Sequence, residues 1–155
     1  MNIAIVIHTQ TGTTRTFAEL IAKNLRDRQH TVDIIELQVE GSPKLRTEDA
    51  KISNVPDCSK YDAVLMGGPV WGFRATPVII TCLKKISGIS GKKFLPFITM
   101  GFPFTFMGGK QTIALMSKMA TDTGAEVLSG VIITKMFHNY HALMQKESAR
   151  IAEMF

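Results

Sequence analysis

Apolar and polar positions alternate along this chain in blocks that read as five strands and four helices in turn. Residues 3–7 are an unbroken run, Ile-Ala-Ile-Val-Ile. A run without polar positions suits a strand covered on both faces, as in a parallel sheet. A threonine-rich turn follows. A helix is predicted over residues 13–28, with Phe17, Leu20, Ile21 and Leu25 at helical spacing. Residues 31–37 predict a second strand through Val32, Ile34, Ile35 and Leu37. Residues 38–60 are polar and punctuated by Gly41, Pro43 and Pro56, with room for one short helix. A third buried strand begins at residues 63–66 and is expected to stop at Gly67-Gly68-Pro69. Thr76-Pro77 reads as a cap followed by proline at the first helical position. The helix after it places Ile79, Cys82, Leu83 and Ile86 on one face. Residues 93–99 predict the fourth strand, and a loop rich in glycine and phenylalanine covers 101–109. A helix over 110–123 ends at Gly124, a residue suited to the left-handed position past a helix end. Residues 127–134 predict the fifth strand. A last helix over 138–153 carries Tyr140, Leu143, Met144 and Ile151, with Glu147 interrupting its apolar face.

Alternating elements of this kind imply an α/β fold in three layers, a parallel sheet with helices on both faces. Five strands fit the doubly wound order 2-1-3-4-5. No repeat or linker divides the chain, so residues 1–155 are expected to form a single domain. Ligands of such sheets bind beyond the carboxyl ends of the strands, where the winding reverses. Here that point lies between strands 1 and 3.

Composition narrows the class. The chain has 155 residues, 45% hydrophobic and 20% charged, enough apolar surface for a full core. No apolar run reaches the roughly 18 residues that span a bilayer, and the first residues lack the pattern of a secretory signal, so no membrane insertion is expected. Cys58 and Cys82 stand far apart without a CxxC pairing, which fits a cytoplasmic location and no disulfide framework. The net charge of +5 is spread along the chain without a basic run or an aromatic RNA-binding motif. Nucleic-acid binding is therefore not expected.

Three unusual loops follow strands 1, 3 and 4. The first is Thr9-Gln10-Thr11-Gly12-Thr13-Thr14, joining a buried strand to a helix N-terminus. Free backbone N–H groups and the helix dipole favour a phosphate there, and the hydroxyls can bond it. GxxxxGK[ST] and GxGxxG are both absent. The second, Gly67-Gly68-Pro69-Val70-Trp71-Gly72-Phe73, holds the only tryptophan, placed to cover a flat aromatic ligand or to cap the core. The third runs from Thr99, Met100 and Gly101 through Phe102, Phe104 and Phe106 to Gly109. One of its phenylalanines could line the other side of the ligand plane, or all could pack onto neighbouring helices.

The loop Thr9–Thr14 is similar to the flavodoxin phosphate loop, [ST]-x-T-G-x-T, and residues 67–72 resemble that family's first flavin loop. Residues 62–72 and Ser90-Gly91-Lys92-Lys93 add to the likeness, which covers nearly the whole chain. The resemblance implies a flavodoxin-like fold of the short-chain form. It also implies FMN held by Thr9, Gln10, Thr11, Gly12, Thr13, Thr14, Pro69, Val70, Trp71, Gly72 and Phe73, with Thr99, Met100, Gly101, Phe102 and Phe104 from the third loop. The function so implied is electron transfer to a redox partner protein or a small-molecule acceptor. FMN-dependent NAD(P)H:quinone or flavin oxidoreductases share the fold and are the alternative. The chain departs from electron-carrying flavodoxins in being basic and in lacking tyrosine and acidic residues in the third loop. Residues 8–16, 67–76 and 99–110 contain Arg15, Arg74 and Lys110 but no Asp or Glu.

Other readings of the same winding fail on residue types. A receiver domain needs carboxylates at the ends of strands 1 and 3, where this chain has His8-Thr9 and Gly67-Gly68. A tyrosine phosphatase needs Cys and Arg in the first loop. His138 and His141 have a spacing suited to a metal but lack the further ligands that zinc requires.

Overall fold

The computed structural model describes residues 1–41 and 49–155. In chain order the elements are β1 (Asn2–Ile7), α1 (Thr13–Asp27), β2 (Thr31–Glu36), β3 (Val39–Glu40), β4 (Lys51–Ile52), β5 (Ala63–Trp71), β6 (Arg74–Ala75), α2 (Pro77–Lys85), β7 (Lys93–Met100), α3 (Gly109–Asp122), β8 (Glu126–Val127), β9 (Val131–Thr134) and α4 (Tyr140–Ala152). The sheet runs β2-β1-β5-β7, with β8 and β9 both parallel to β7 at the far edge. This is the doubly wound order expected from the sequence. The unbroken run of β1 has its cause in the layers. Ile3, Ile5 and Ile7 pack with Phe17, Ile21 and Leu25 of α1 and Met144 and Ile151 of α4. Ala4 and Val6 face the other way, with Val78, Ile79 and Cys82 of α2 and Met116 of α3. In α4, Glu147 leaves the core face by bonding Arg150 Nε at 2.7 Å, and Ser148 completes that face by accepting Asn24 Nδ2 at 2.9 Å.

The fifth strand is two pieces rather than one, and Pro96 is the reason. Leu128 N donates to Phe94 O and Lys135 N to Met100 O, so the even-numbered residues of β7 turn their backbone groups to this edge. Pro96 lies in the same phase and has no N–H to give. The ladder lapses over residues 128–130 and resumes with one extra residue on the outer strand: Phe94 pairs with Val127, but Phe97 pairs with Val131.

The third strand does not stop at its glycines. It continues as β5 to Trp71, paired with β7 as far as Pro69 and Thr99. A Cβ on Gly67 would stand 2.1 Å from the Phe97 ring, and one on Gly68 would stand 2.8 Å from Ile79. Both glycines are openings for neighbouring side chains. Phe97 uses the first to reach Phe17, edge to face at 5.4 Å between ring centres. The chain then reverses in a hairpin, with Trp71 opposite Arg74 in β6. Its two turn residues, Gly72 (φ 52°) and Phe73 (φ 65°), take the left-handed conformation that such a two-residue turn requires.

Within residues 38–60, β3 and β4 pair as an antiparallel ribbon, and the described residues there contain no helix. Where the expected short helix falls on residues 42–48, it lies outside the described residues. Helix α2 starts as read, with Thr76 Oγ1 accepting from Ile79 N at 3.3 Å. Helix α4 begins two residues later than expected, because Asn139 caps it by accepting from Ala142 N. Both cysteines are buried and free, and burial pushes their thiols up to about 11 for Cys58 and about 12 for Cys82.

Candidate functional site

The carboxyl ends of β1, β5, β7 and β9 deliver four connections to one end of the sheet. Helix α1 begins there at Gly12, whose φ of 91° excludes most other residues and whose missing Cβ would face open space. No side chain caps this helix and its first turn holds no acidic residue. Its leading N–H groups and its positive end therefore point into the opening without a counter-charge from its own first turn.

The loop's threonines divide into two kinds. Thr9 Oγ1 accepts from Gly12 N at 3.1 Å and holds the loop in shape. Thr14 is buried, its hydroxyl 2.9 Å from that of Thr99 at the end of β7. Thr11 and Thr13 remain at the opening, with their hydroxyls 3.4 Å apart. Gln10 is exposed.

Sequence reasoning passed over Lys135 because the link after the fifth strand is short. Its ammonium donates to Thr13 Oγ1 at 3.1 Å and lies 5.2 Å from the centre of the Tyr140 ring. The available signal was positional: Lys135 is the first residue beyond β9, at the end of the sheet where the other loops gather. A cavity of about 300 Å³ opens here between Thr11, Gly12, Thr13, Lys135 and Tyr140. A second, of about 170 Å³, shares Thr11, Thr13 and Lys135 and extends between Pro69 and Val70 on one side and Met100 and Gly101 on the other. Together they form a trough with a polar, cationic end and an apolar end.

Trp71, Gly72, Phe73, Phe102 and Phe104 do not line either cavity. Trp71 is half-buried and meets His8 edge to face, with ring centres 5.5 Å apart. Phe73 stacks on Phe102 at 4.8 Å, and Phe104 on Phe106 at 5.4 Å. His8 is a second residue that the site prediction left out. It is 7% exposed, its Nδ1 has no hydrogen-bond partner, and burial holds its pKa below the ordinary histidine value.

Charge around the trough is not purely cationic. Glu36, the last residue of β2, pairs with Arg15. Arg74 and Lys110 are exposed. His138 contacts Pro103 O at 3.1 Å through Nε2, and His141 lies against the Tyr140 ring. Among the described residues no three His, Cys, Asp or Glu side chains gather as a metal site.

No family model matches the sequence, and no curated protein is similar to it in sequence. Solved structures are similar in fold. Oxidised flavodoxin 2 from Bacillus cereus superposes with a TM-score of 0.73 at 20% identity, over 100% of both chains. The Streptococcus pneumonia TIGR4 flavodoxin gives 0.67 at 19% identity, over 99% of this chain and 96% of that one. A flavodoxin, WrbA-like protein from Agrobacterium tumefaciens gives 0.63 at 16%, over 99% and 96%. At these identities the likeness establishes the fold: this chain has the flavodoxin-like α/β architecture.

Proposed function

We propose that residues 1–155 act as one flavodoxin-like domain that binds FMN in the trough and passes electrons through it. The observation that carries this reading is Lys135 beside Thr13 at the uncapped start of α1, next to an apolar slot. A dianionic phosphate fits the polar end. It is offered the leading N–H groups of α1, the Thr11 and Thr13 hydroxyls and the Lys135 ammonium. Open space beside Gly12 and Gly101 lets a ligand approach the backbone closely. A flat ring system fits between Pro69-Val70 and Met100-Gly101, with Trp71 beyond one edge. The flavin, when bound, supplies reversible uptake of electrons. The chain's own residues hold the phosphate, exclude water with apolar walls, and tie the phosphate loop at the start of α1 to the β7 wall through the Thr14–Thr99 bond. Thr9, Gln10, Gly72, Phe73, Phe102 and Phe104 complete the proposed binding set, at the loop and rim.

A donor or acceptor meets the exposed rim of this trough. An electron-carrier role implies a redox partner protein. The exposed Arg74 and Lys110 suit an acidic redox protein and equally the anionic NAD(P)H of the second reading, in which NAD(P)H is oxidised directly and a quinone or flavin is reduced. The buried free cysteines fit a cytoplasmic location, and among the described residues no helix is long and apolar enough to cross a membrane.

Calorimetric titration with FMN and riboflavin tests the cofactor. FMN is expected to bind roughly a hundredfold more tightly, because each charge-assisted bond to its phosphate contributes about 1.5–3 kcal/mol. Equal affinity removes the proposed phosphate site. Anaerobic addition of NADH or NADPH to the loaded protein then separates the two readings. Rapid bleaching of the flavin supports the oxidoreductase, and a stable yellow colour supports the carrier.

A further inference from the structure

Six large apolar side chains stand exposed on the loops around the trough: Phe73 at the tip of the β5–β6 hairpin, Phe102, Phe104 and Phe106 after β7, and Met136 and Phe137 after β9. They form one rim. Phe73 stacks on Phe102, Met136 N donates to Gly101 O, and His138 meets Pro103 O. Phe137 is 88% exposed and Phe106 64%. At about 200 Å² per aromatic ring, the rim presents on the order of 600 Å² of apolar surface, at the upper end for a soluble monomer. Phe73 and Phe137 both hold positive φ angles, 65° and 62°, a strained conformation for a bulky residue. The charge of the rim has one sign. The rim loops, residues 71–76, 101–110 and 135–139, contain Arg74, Lys110 and Lys135 and no Asp or Glu, with Lys135 turned into the trough toward Thr13.

We propose that this rim is a contact surface for an anionic lipid bilayer. Phenylalanines flanked by cations match the two layers of such a surface, with rings entering the headgroup boundary and Arg74 and Lys110 meeting anionic headgroups. The observations favour a bilayer over an acidic protein. The rings project from three separate loops, and Phe137 is almost wholly exposed. A protein partner needs a pocket shaped for each such ring, whereas a bilayer admits protruding rings without one. The contact is interfacial, and it turns the mouth of the trough toward the membrane. Phe106, Met136 and Phe137 lie outside the proposed flavin-binding set, so the bilayer contact does not rest on the flavin reading.

The test is co-sedimentation of the purified chain with vesicles of phosphatidylcholine alone, or of phosphatidylcholine with one-third phosphatidylserine, at physiological salt. The chain is expected to pellet with the second and not the first. Phe106→Ser with Phe137→Ser should lower the bound fraction about fivefold or more. Arg74→Glu with Lys110→Glu should abolish the preference for phosphatidylserine. A Phe137→Trp variant gives a readout independent of binding loss: its added emission should shift to the blue on the anionic vesicles. Wild type that stays in the supernatant overturns the proposal and leaves the rim to an acidic protein. Undiminished pelleting of the double phenylalanine variant also overturns it, since charge alone then suffices. So does a dimer in sedimentation velocity that the same variant dissolves, because a second copy then covers the rim. FMN uptake is read by absorbance in each sample, so vesicle binding without flavin, or flavin without vesicle binding, separates this proposal from the cofactor reading.

Discussion

The hydroxyls of Thr14 and Thr99 meet at 2.9 Å in the protein interior, joining the first turn of α1 to the end of β7 across 85 residues of chain. Both side chains are buried, so water cannot replace either partner. Thr14→Val or Thr99→Val alone strands the other hydroxyl and should destabilise the fold by about 1–3 kcal/mol. The double valine variant removes both polar groups at nearly constant volume and should recover most of that loss. Urea unfolding of the four proteins measures the coupling; simple additivity of the two single effects would show that the bond contributes nothing.

Lys135 is the only side-chain cation bonded to the loop at the start of α1 among the described residues. Lys135→Gln keeps a donor of similar length and removes the charge. FMN affinity should fall about tenfold, the equivalent of about 1.4 kcal/mol. Riboflavin affinity should stay unchanged, because the expected contact is to phosphate. A parallel loss for both ligands in calorimetry would move Lys135 away from the phosphate.

His8 makes stability pH-dependent with a definite sign. Burial lowers its folded pKa below the ordinary 6.5, so below pH 6.5 the unfolded chain binds more protons than the folded one. By linkage, stability falls as the pH drops through 6.5 and goes on falling until the lowered folded value is passed. His8→Leu should flatten this limb while leaving the neutral-pH plateau in place. Trp71 reports the same event, since its ring meets the imidazole edge to face. Its emission should fall on acidification in the wild type and stay level in His8→Leu. Superimposable stability–pH curves for the two proteins would rule out His8 as the source.

Gly67→Ala places a methyl group where the Phe97 ring stands, at 2.1 Å. A ring locked between β5 and Phe17 cannot yield by that much without moving the sheet. The variant should lose about 1–3 kcal/mol or more through overpacking. Phe97→Leu in the same chain should restore part of it. Thermal unfolding of the single and double variants measures both effects; a Gly67→Ala protein as stable as wild type would mean that the ring relocates freely.

The elements, their alternation and the doubly wound order were legible in the residues because hydrophobic periodicity is a local property. An apolar run, a cap or a helix-ending glycine carries its meaning within a few positions. The same local signals located the crevice, since loop composition after β1, β5 and β7 identifies which end of the sheet is unusual. Tertiary structure alone decided the rest. Gly67 and Gly68 look the same whether they end a strand or admit a ring, and only Phe97 and Ile79 on neighbouring elements distinguish the two. Pro96 sits in plain view, but whether its missing donor falls toward β5 or toward the edge depends on the phase of pairing. Four similar threonine hydroxyls divide into Thr9 and Thr14, which hold the loop, and Thr11 and Thr13, which face the opening, because partners such as Thr99 arrive from distant parts of the chain. Lys135 joins them for the same reason. A residue's chemistry is set by its own side chain, whereas its partners are set by how strands far apart in sequence are brought side by side.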